Sequence, residues 1–159
     1  MKILGIDPGL RNTGFAIIEV LAKTPCYINS GVIKTQSNES LAKRIYTIVT
    51  SLNQIINEYK PQIACIEKVF VNINPQSTLL LGQARGAAIS ACVINKLDVT
   101  EYTALQVKQS VVGYGHAEKH QVAKMVKYLL KLNKEPNKDA ADALAIALTH
   151  IHYSNTKIK

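Results

Sequence analysis

The apolar run Ile3, Leu4 and Ile6 breaks on Asp7-Pro8-Gly9, and a second begins after Thr13-Gly14 with Phe15-Ala16-Ile17-Ile18. This pattern predicts a buried strand, a turn and a returning strand. Leu21 to Pro25 is turn material, and the β-branched and aromatic content of Tyr27 to Thr35 predicts a third strand, completing an antiparallel meander. From Asn38 or Ser40, either of which can cap a helix, Leu41, Ile45, Ile48, Val49, Leu52, Ile55, Ile56 and Tyr59 recur at helical spacing until Pro61 stops the run. Ile63 to Ile66 is short and continuously apolar, as in a strand covered on both faces, and it ends on Glu67.

Lys68 to Pro75 is loop by composition and exposes Phe70 between polar neighbours. Ser77 can cap a helix from Thr78 to Asn95 that contains Gly82 and Gly86. Each helical glycine costs roughly 1 kcal/mol relative to alanine, so the pair predicts a close approach to a neighbouring backbone or a partner subunit. Val99 to Tyr102 reads as a fifth strand, and Thr103 to Ser110 as a short helix carrying Lys108. Val122, Met125, Val126, Leu129 and Leu130 mark another amphipathic helix, and a final helix opens on Asp139-Ala140-Ala141-Asp142. The whole is an α/β pattern, a single domain over 1–153 with a short basic tail over 154–159, without internal repeats.

Charge changes the picture next. With 19 Lys+Arg against 11 Asp+Glu the formal net charge is +8, which favours a polyanionic partner such as nucleic acid or an anionic membrane surface. No secretory signal is visible, and the longest helix-like apolar stretch, Gly86 to Asn95, is about half of the roughly 20 residues a membrane span needs. A soluble cytoplasmic protein without a membrane partner is expected. Cys26, Cys65 and Cys92 are odd in number, far apart and free of C-x-x-C spacing, as reduced core thiols would be.

The candidate chemistry lies in the acids. Asp7, at a buried strand end, is either a turn-capping Asx residue or a metal ligand, and Asp-Pro-Gly alone favours the turn. Asp139 and Asp142 share a helix face, and taken alone they are explained by the macrodipole of a helix N-terminus. Three separate elements, however, each present an acid where they begin or end, and neighbouring strand ends are where sites form in α/β sheets. Four converging carboxylates require divalent cations, and oxygen ligands without Cys or His suit Mg²⁺ or Mn²⁺ rather than Zn²⁺. On a basic chain, this points to two-metal phosphodiester hydrolysis and moves Asp7 from turn residue to ligand.

At this point the residues resemble a known family. Gly5-Ile6-Asp7-Pro8-Gly9 with Arg11, Thr13 and Gly14, then Ile66-Glu67-Lys68-Val69-Phe70, Leu81-Gly82-Gln83-Ala84-Arg85-Gly86, Val107-Lys108-Gln109, Ala117-Glu118-Lys119 and Asp139 to Ala145 together look like the RuvC family of Holliday junction resolvases. The resemblance covers nearly the whole chain. It implies a ribonuclease-H-like fold, a mixed five-stranded sheet flanked by helices on both faces, and a homodimer. The implied activity is that of a Mg²⁺-dependent crossover junction endodeoxyribonuclease, with two Mg²⁺ per active site and Mn²⁺ able to substitute. It would nick two strands of four-way junction DNA symmetrically, in recombination and DNA repair, alongside branch-migration proteins. On that basis Asp7, Glu67, Asp139 and Asp142 match the catalytic, metal-binding acids, Phe70 the aromatic that stacks at the crossover, and Lys108 and Lys119 the basic residues near the cut strand. Leu10, Ala16 and His116 depart from the family pattern, which touches local loop geometry more than chemistry.

Two other functions remain in view. The opening loop also resembles the phosphate-binding turn of actin-like ATPases and sugar kinases, but those need two copies of the fold, and no repeat is present here. A junction-binding protein without catalysis would have no need of the full acid set.

Overall fold

The expected meander is formed by β1 (Lys2–Asp7), β2 (Asn12–Leu21) and β3 (Thr24–Lys34) in the computed structural model of the chain, which describes residues 1–69 and 73–156. After α1 (Leu41–Tyr59), β4 (Ile63–Lys68) pairs in parallel with β1, setting Ile6 beside Ile66. After α2 (Pro75–Ile94), β5 (Asp98–Thr103) pairs in parallel with β4, giving one mixed sheet of order β3-β2-β1-β4-β5. Three helices complete the described chain: α3 (Ala104–Val112), α4 (Lys119–Leu129) and α5 (Lys138–Thr156).

Alternation along the strands builds a core on each side of the sheet. Leu4, Ile6, Ile17, Ala64 and Ile66 face α1 and α2, while Ile3, Ala16, Ile18 and Cys65 face the layer of α3, α4 and α5. Helices therefore cover both faces, as expected. Cys65 and Cys92 are buried and Cys26 is partly exposed, and all three are free thiols.

Element boundaries differ from expectation where a cap was misassigned. Ser40 does cap α1, accepting the Lys43 amide, but α2 is capped by Asn74, whose Oδ1 accepts the amides of Gln76 and Ser77. Pro75 then opens α2, where its missing N–H costs nothing, and Ser77 lies inside the first turn rather than at the cap. At the other end, α5 runs on through Thr156, into the segment expected to be a tail. Ser154 belongs to the helix there, its hydroxyl donating to the His150 carbonyl at 2.6 Å.

Helix α2 also corrects the estimate of apolar length, since its 20 residues are long and apolar enough to cross a membrane by length and composition. It packs Ala84, Ala87, Ala88, Ala91 and Cys92 on the core and leaves Leu79, Leu80, Val93 and Ile94 exposed. Among the described residues a Cβ on Gly82 or Gly86 would meet nothing within 4 Å, so neither glycine serves a close approach to them.

Candidate functional site

Parallel pairing of β1 and β4 places their C-terminal ends side by side, which brings Asp7 next to Glu67. Helix α5 crosses this edge and packs on β1 and β2 closely enough that a Cβ on Gly5 would collide with the Ala143 carbonyl, and one on Gly14 with the Asp139 carbonyl. Those two glycines thus let the helix carrying Asp139 and Asp142 lie against the strand carrying Asp7. Gly5 and Gly14 therefore admit the helix rather than a phosphate backbone, and a Cβ on Gly9 would meet the Asn12 carbonyl inside the turn.

The turn-capping explanation for Asp7 fails on its hydrogen bonds, whereas Asp139 does lie in the first turn of α5, where the macrodipole favours an acid. In the Asp7-Pro8-Gly9 turn, the Gly9 amide points to Thr13 Oγ1 at 3.5 Å and Thr13 Oγ1 donates to the Gly9 carbonyl at 2.8 Å. Buried Thr13 therefore holds the turn, and among the described residues no hydrogen bond reaches the Asp7 carboxylate. At the start of α5, Asn137 Oδ1 accepts the Asp139 amide at 3.1 Å, so Asp139 is not the cap.

The acids act on one another. Burial, then the charges of Asp142 and Glu67, push Asp7 up to about 7, with Asp139 adding to the rise and Lys119 opposing it. Burial also raises Glu67, helped by Asp142 and opposed by Lys119 and Lys108. Lys119 Nζ donates to Asp142 Oδ2 at 3.0 Å. Burial works against the Lys119 charge, but this hydrogen bond and the field of Asp142, Asp7 and Glu67 leave its pKa raised. Asp7, Glu67, Asp139, Asp142, Lys108 and Lys119 thus share one electrostatic neighbourhood. Phe70 lies outside the described residues. Among the described residues no three acid, histidine or cysteine side chains stand close enough together to hold a metal ion, and the ammonium of Lys119 occupies the flank of Asp142.

One site-supporting residue was not assigned from sequence. Arg85, on α2, donates from Nε to the Glu67 carbonyl at 3.2 Å and from its terminal nitrogen to the Glu101 carboxylate on β5. It ties the end of β4 to its neighbours at the point where Glu67 projects. The available signal was an arginine with no other charged neighbour in an apolar helix. At the C-terminal end of α5 two histidines pack into the fold: His150 Nδ1 lies 2.9 Å from Tyr102 Oη, and His152 Nδ1 3.0 Å from Ser110 Oγ.

The family model for crossover junction endodeoxyribonuclease RuvC matches residues 3–150. The chain belongs to the RuvC family. It is 60% identical over 156 residues to the crossover junction endodeoxyribonuclease RuvC of Methylobacillus flagellatus, an alignment covering 95% of this chain and 87% of that protein. It is 61% identical over 152 residues to the RuvC of Herminiimonas arsenicoxydans, with 96% and 84% covered. Its fold matches that of T. thermophilus RuvC solved in complex with a Holliday junction substrate at a TM-score of 0.93 and 33% identity, covering 99% of this chain and 96% of that one. The ribonuclease-H-like fold expected from the motifs is therefore that of this RuvC chain.

Proposed function

We propose that the chain is a Holliday junction resolvase, an endodeoxyribonuclease that nicks two strands of a four-way DNA junction symmetrically by metal-dependent phosphodiester hydrolysis. The observation that carries this is the meeting of Asp7, Glu67 and the α5 pair Asp139 and Asp142 at one sheet edge of a RuvC-family chain, with Asp7 held near 7 by burial and its neighbours. That elevation marks a site short of positive charge. Hard oxygen donors in such a site fit Mg²⁺, two ions per site, with Mn²⁺ able to substitute. When bound, these cations supply Lewis acidity toward the scissile phosphate and make water a competent nucleophile.

The chain's own residues do the rest. Asp7, Glu67, Asp139 and Asp142 hold the cations on rigid strand ends and one helix turn. Lys119 balances Asp142 and, with Lys108, offers positive charge to the strand being cut. Phe70 stacks at the crossover, and cleavage leaves a 5′-phosphate and a 3′-hydroxyl. A homodimer supplies two such sites for paired nicks, in the cytoplasm and alongside branch-migration proteins. The bare outer face of α2, where Gly82 and Gly86 meet nothing among the described residues, supports the dimer.

The test is cleavage of a labelled synthetic four-way junction with and without Mg²⁺, beside a linear duplex. Metal-dependent, symmetric cuts confined to the junction are expected. Asp7→Asn should abolish cutting while keeping junction binding, whereas wild-type cutting by this variant would remove Asp7 from the ligand set. A protein that binds junctions but never cuts them would instead be a binding module.

A further inference from the structure

Residues 119–134 contain five lysines, Lys119, Lys124, Lys127, Lys131 and Lys134, and no Asp or Glu, in a chain whose net charge is +8. This is where the positive charge of the molecule concentrates. Positions 120, 124, 127 and 128 fall on one face of α4 at helical spacing, and the face continues past the helix end to Lys131 and Lys134. Tyr128 stands on it 78% exposed. Among the described residues no ion pair engages Lys124, Lys127, Lys131 or Lys134, although Lys119 is tied to Asp142.

This face is continuous with the acid cluster. A cleft between α4 and α5 is lined by Lys119, His120 and Asp142. His120 also lines the next groove, with Lys124 and Tyr128, and those two line a third with Lys127 and Lys131. Lys131 and Lys134 then line a fourth that reaches Tyr27 on the edge strand β3. Along α4, from position 119 to position 129, the helical rise is about 15 Å, room for roughly four base-pair steps.

We propose that this face is the track for one duplex arm of the junction. Phosphates leaving the acid cluster pass Lys119 and run along Lys124, Lys127, Lys131 and Lys134, with Tyr128 packed against the sugar-phosphate backbone. Lysines with no ion-pair partner among the described residues, with Met125, Leu129 and Leu132 only half-buried between them and Tyr128 exposed, suit a phosphate backbone rather than a membrane, which would need a continuous stripe of exposed apolar side chains to insert. The track rests on the resolvase function proposed above.

The experiment measures junction affinity against salt for three full-length proteins. These are the wild type, the variant Lys124→Gln/Lys127→Gln/Lys131→Gln, and a control, Lys23→Gln/Lys60→Gln/Lys96→Gln. The control removes the same charge at the other end of the sheet, where β2 ends and β4 and β5 begin. Circular dichroism confirms folding of each. The track variant should bind a long-armed junction about tenfold or more weakly, with its log K against log[salt] slope reduced by about 2 to 3, whereas the control stays near wild type. Wild-type affinity and slope in the track variant, or an equal loss in the control, would overturn the track. Failure of the resolvase function would show separately, as an absence of junction cleavage by the wild type itself.

Discussion

Arg85 offers one fork to two partners, the backbone carbonyl of Glu67 and the carboxylate of Glu101, and neither contact involves DNA. Its effect on catalysis is through the direction of the Glu67 side chain. Arg85→Ala should therefore lower the single-turnover cleavage rate about ten- to a hundredfold while junction Kd changes less than about twofold. Arg85→Lys should not rescue it, because an ammonium cannot make the forked contact. Asp7 carries a different prediction. Its pKa in the folded protein, about 7, is above the ordinary aspartate value of 3.8, so folding favours the protonated form. Stability from this source is full below about pH 4 and is lost as pH rises toward 7, and Glu67 acts in the same direction. Thermal melts without divalent ions should show falling Tm across that window, Asp7→Asn should flatten the fall by an amount on the order of 4 kcal/mol, and added Mg²⁺ should raise Tm most at the high-pH end. The four acids were legible in the sequence because each ends or begins an apolar run, a place where an unpaired carboxylate is costly. Arg85 was not, because its partners are a carbonyl and a strand that only folding brings near.

Among the elements, α5 decides the geometry of the site. It lies on β1 and β2 at glycine distance, with the Asp139 carbonyl against Gly14 and the Ala143 carbonyl against Gly5. Gly14→Ala forces the helix outward where Asp139 is anchored, so it should cost about 1–3 kcal/mol in urea unfolding and lower cleavage further than the lost stability explains. The order and type of the five strands and five described helices could be read from the sequence, because short apolar runs and stretches of helical spacing are separated by turn and breaker residues such as Asp7-Pro8-Gly9, Pro61 and Gly113. The starts of α2 and the end of α5 could not. Asn74-Pro75 and Ser77 are both valid helix openings in sequence, and only the direction of the Asn74 side chain selects between them. The purpose of Gly5 and Gly14 was equally hidden, since a glycine records that something comes close without recording what.

For the whole molecule, the unfinished surface is the outer side of α2. Exposed Leu79, Val93 and Ile94 stand on a helix whose Gly82 and Gly86 meet nothing among the described residues. In an isolated subunit Gly86→Ala should gain about 0.5–1 kcal/mol of helix stability. In a homodimer packed through that face the added methyl separates the helices, and sedimentation equilibrium should show dimer dissociation strengthened about tenfold or more. The charge layout divides the surface in the same way, with the lysines of 119–134 on one region and the apolar side of α2 on another, so that pairing of subunits and holding of DNA need not compete. The position of α5 has one more consequence, in the order of synthesis. Asp7 leaves the ribosome early, but the helix that lies on Gly5 and Gly14 and delivers Asp139 and Asp142 leaves it last among the described elements. A nascent chain with three antiparallel strands already paired therefore holds only two of the four candidate ligands, and the proposed site is completed only when the final helix has emerged and docked.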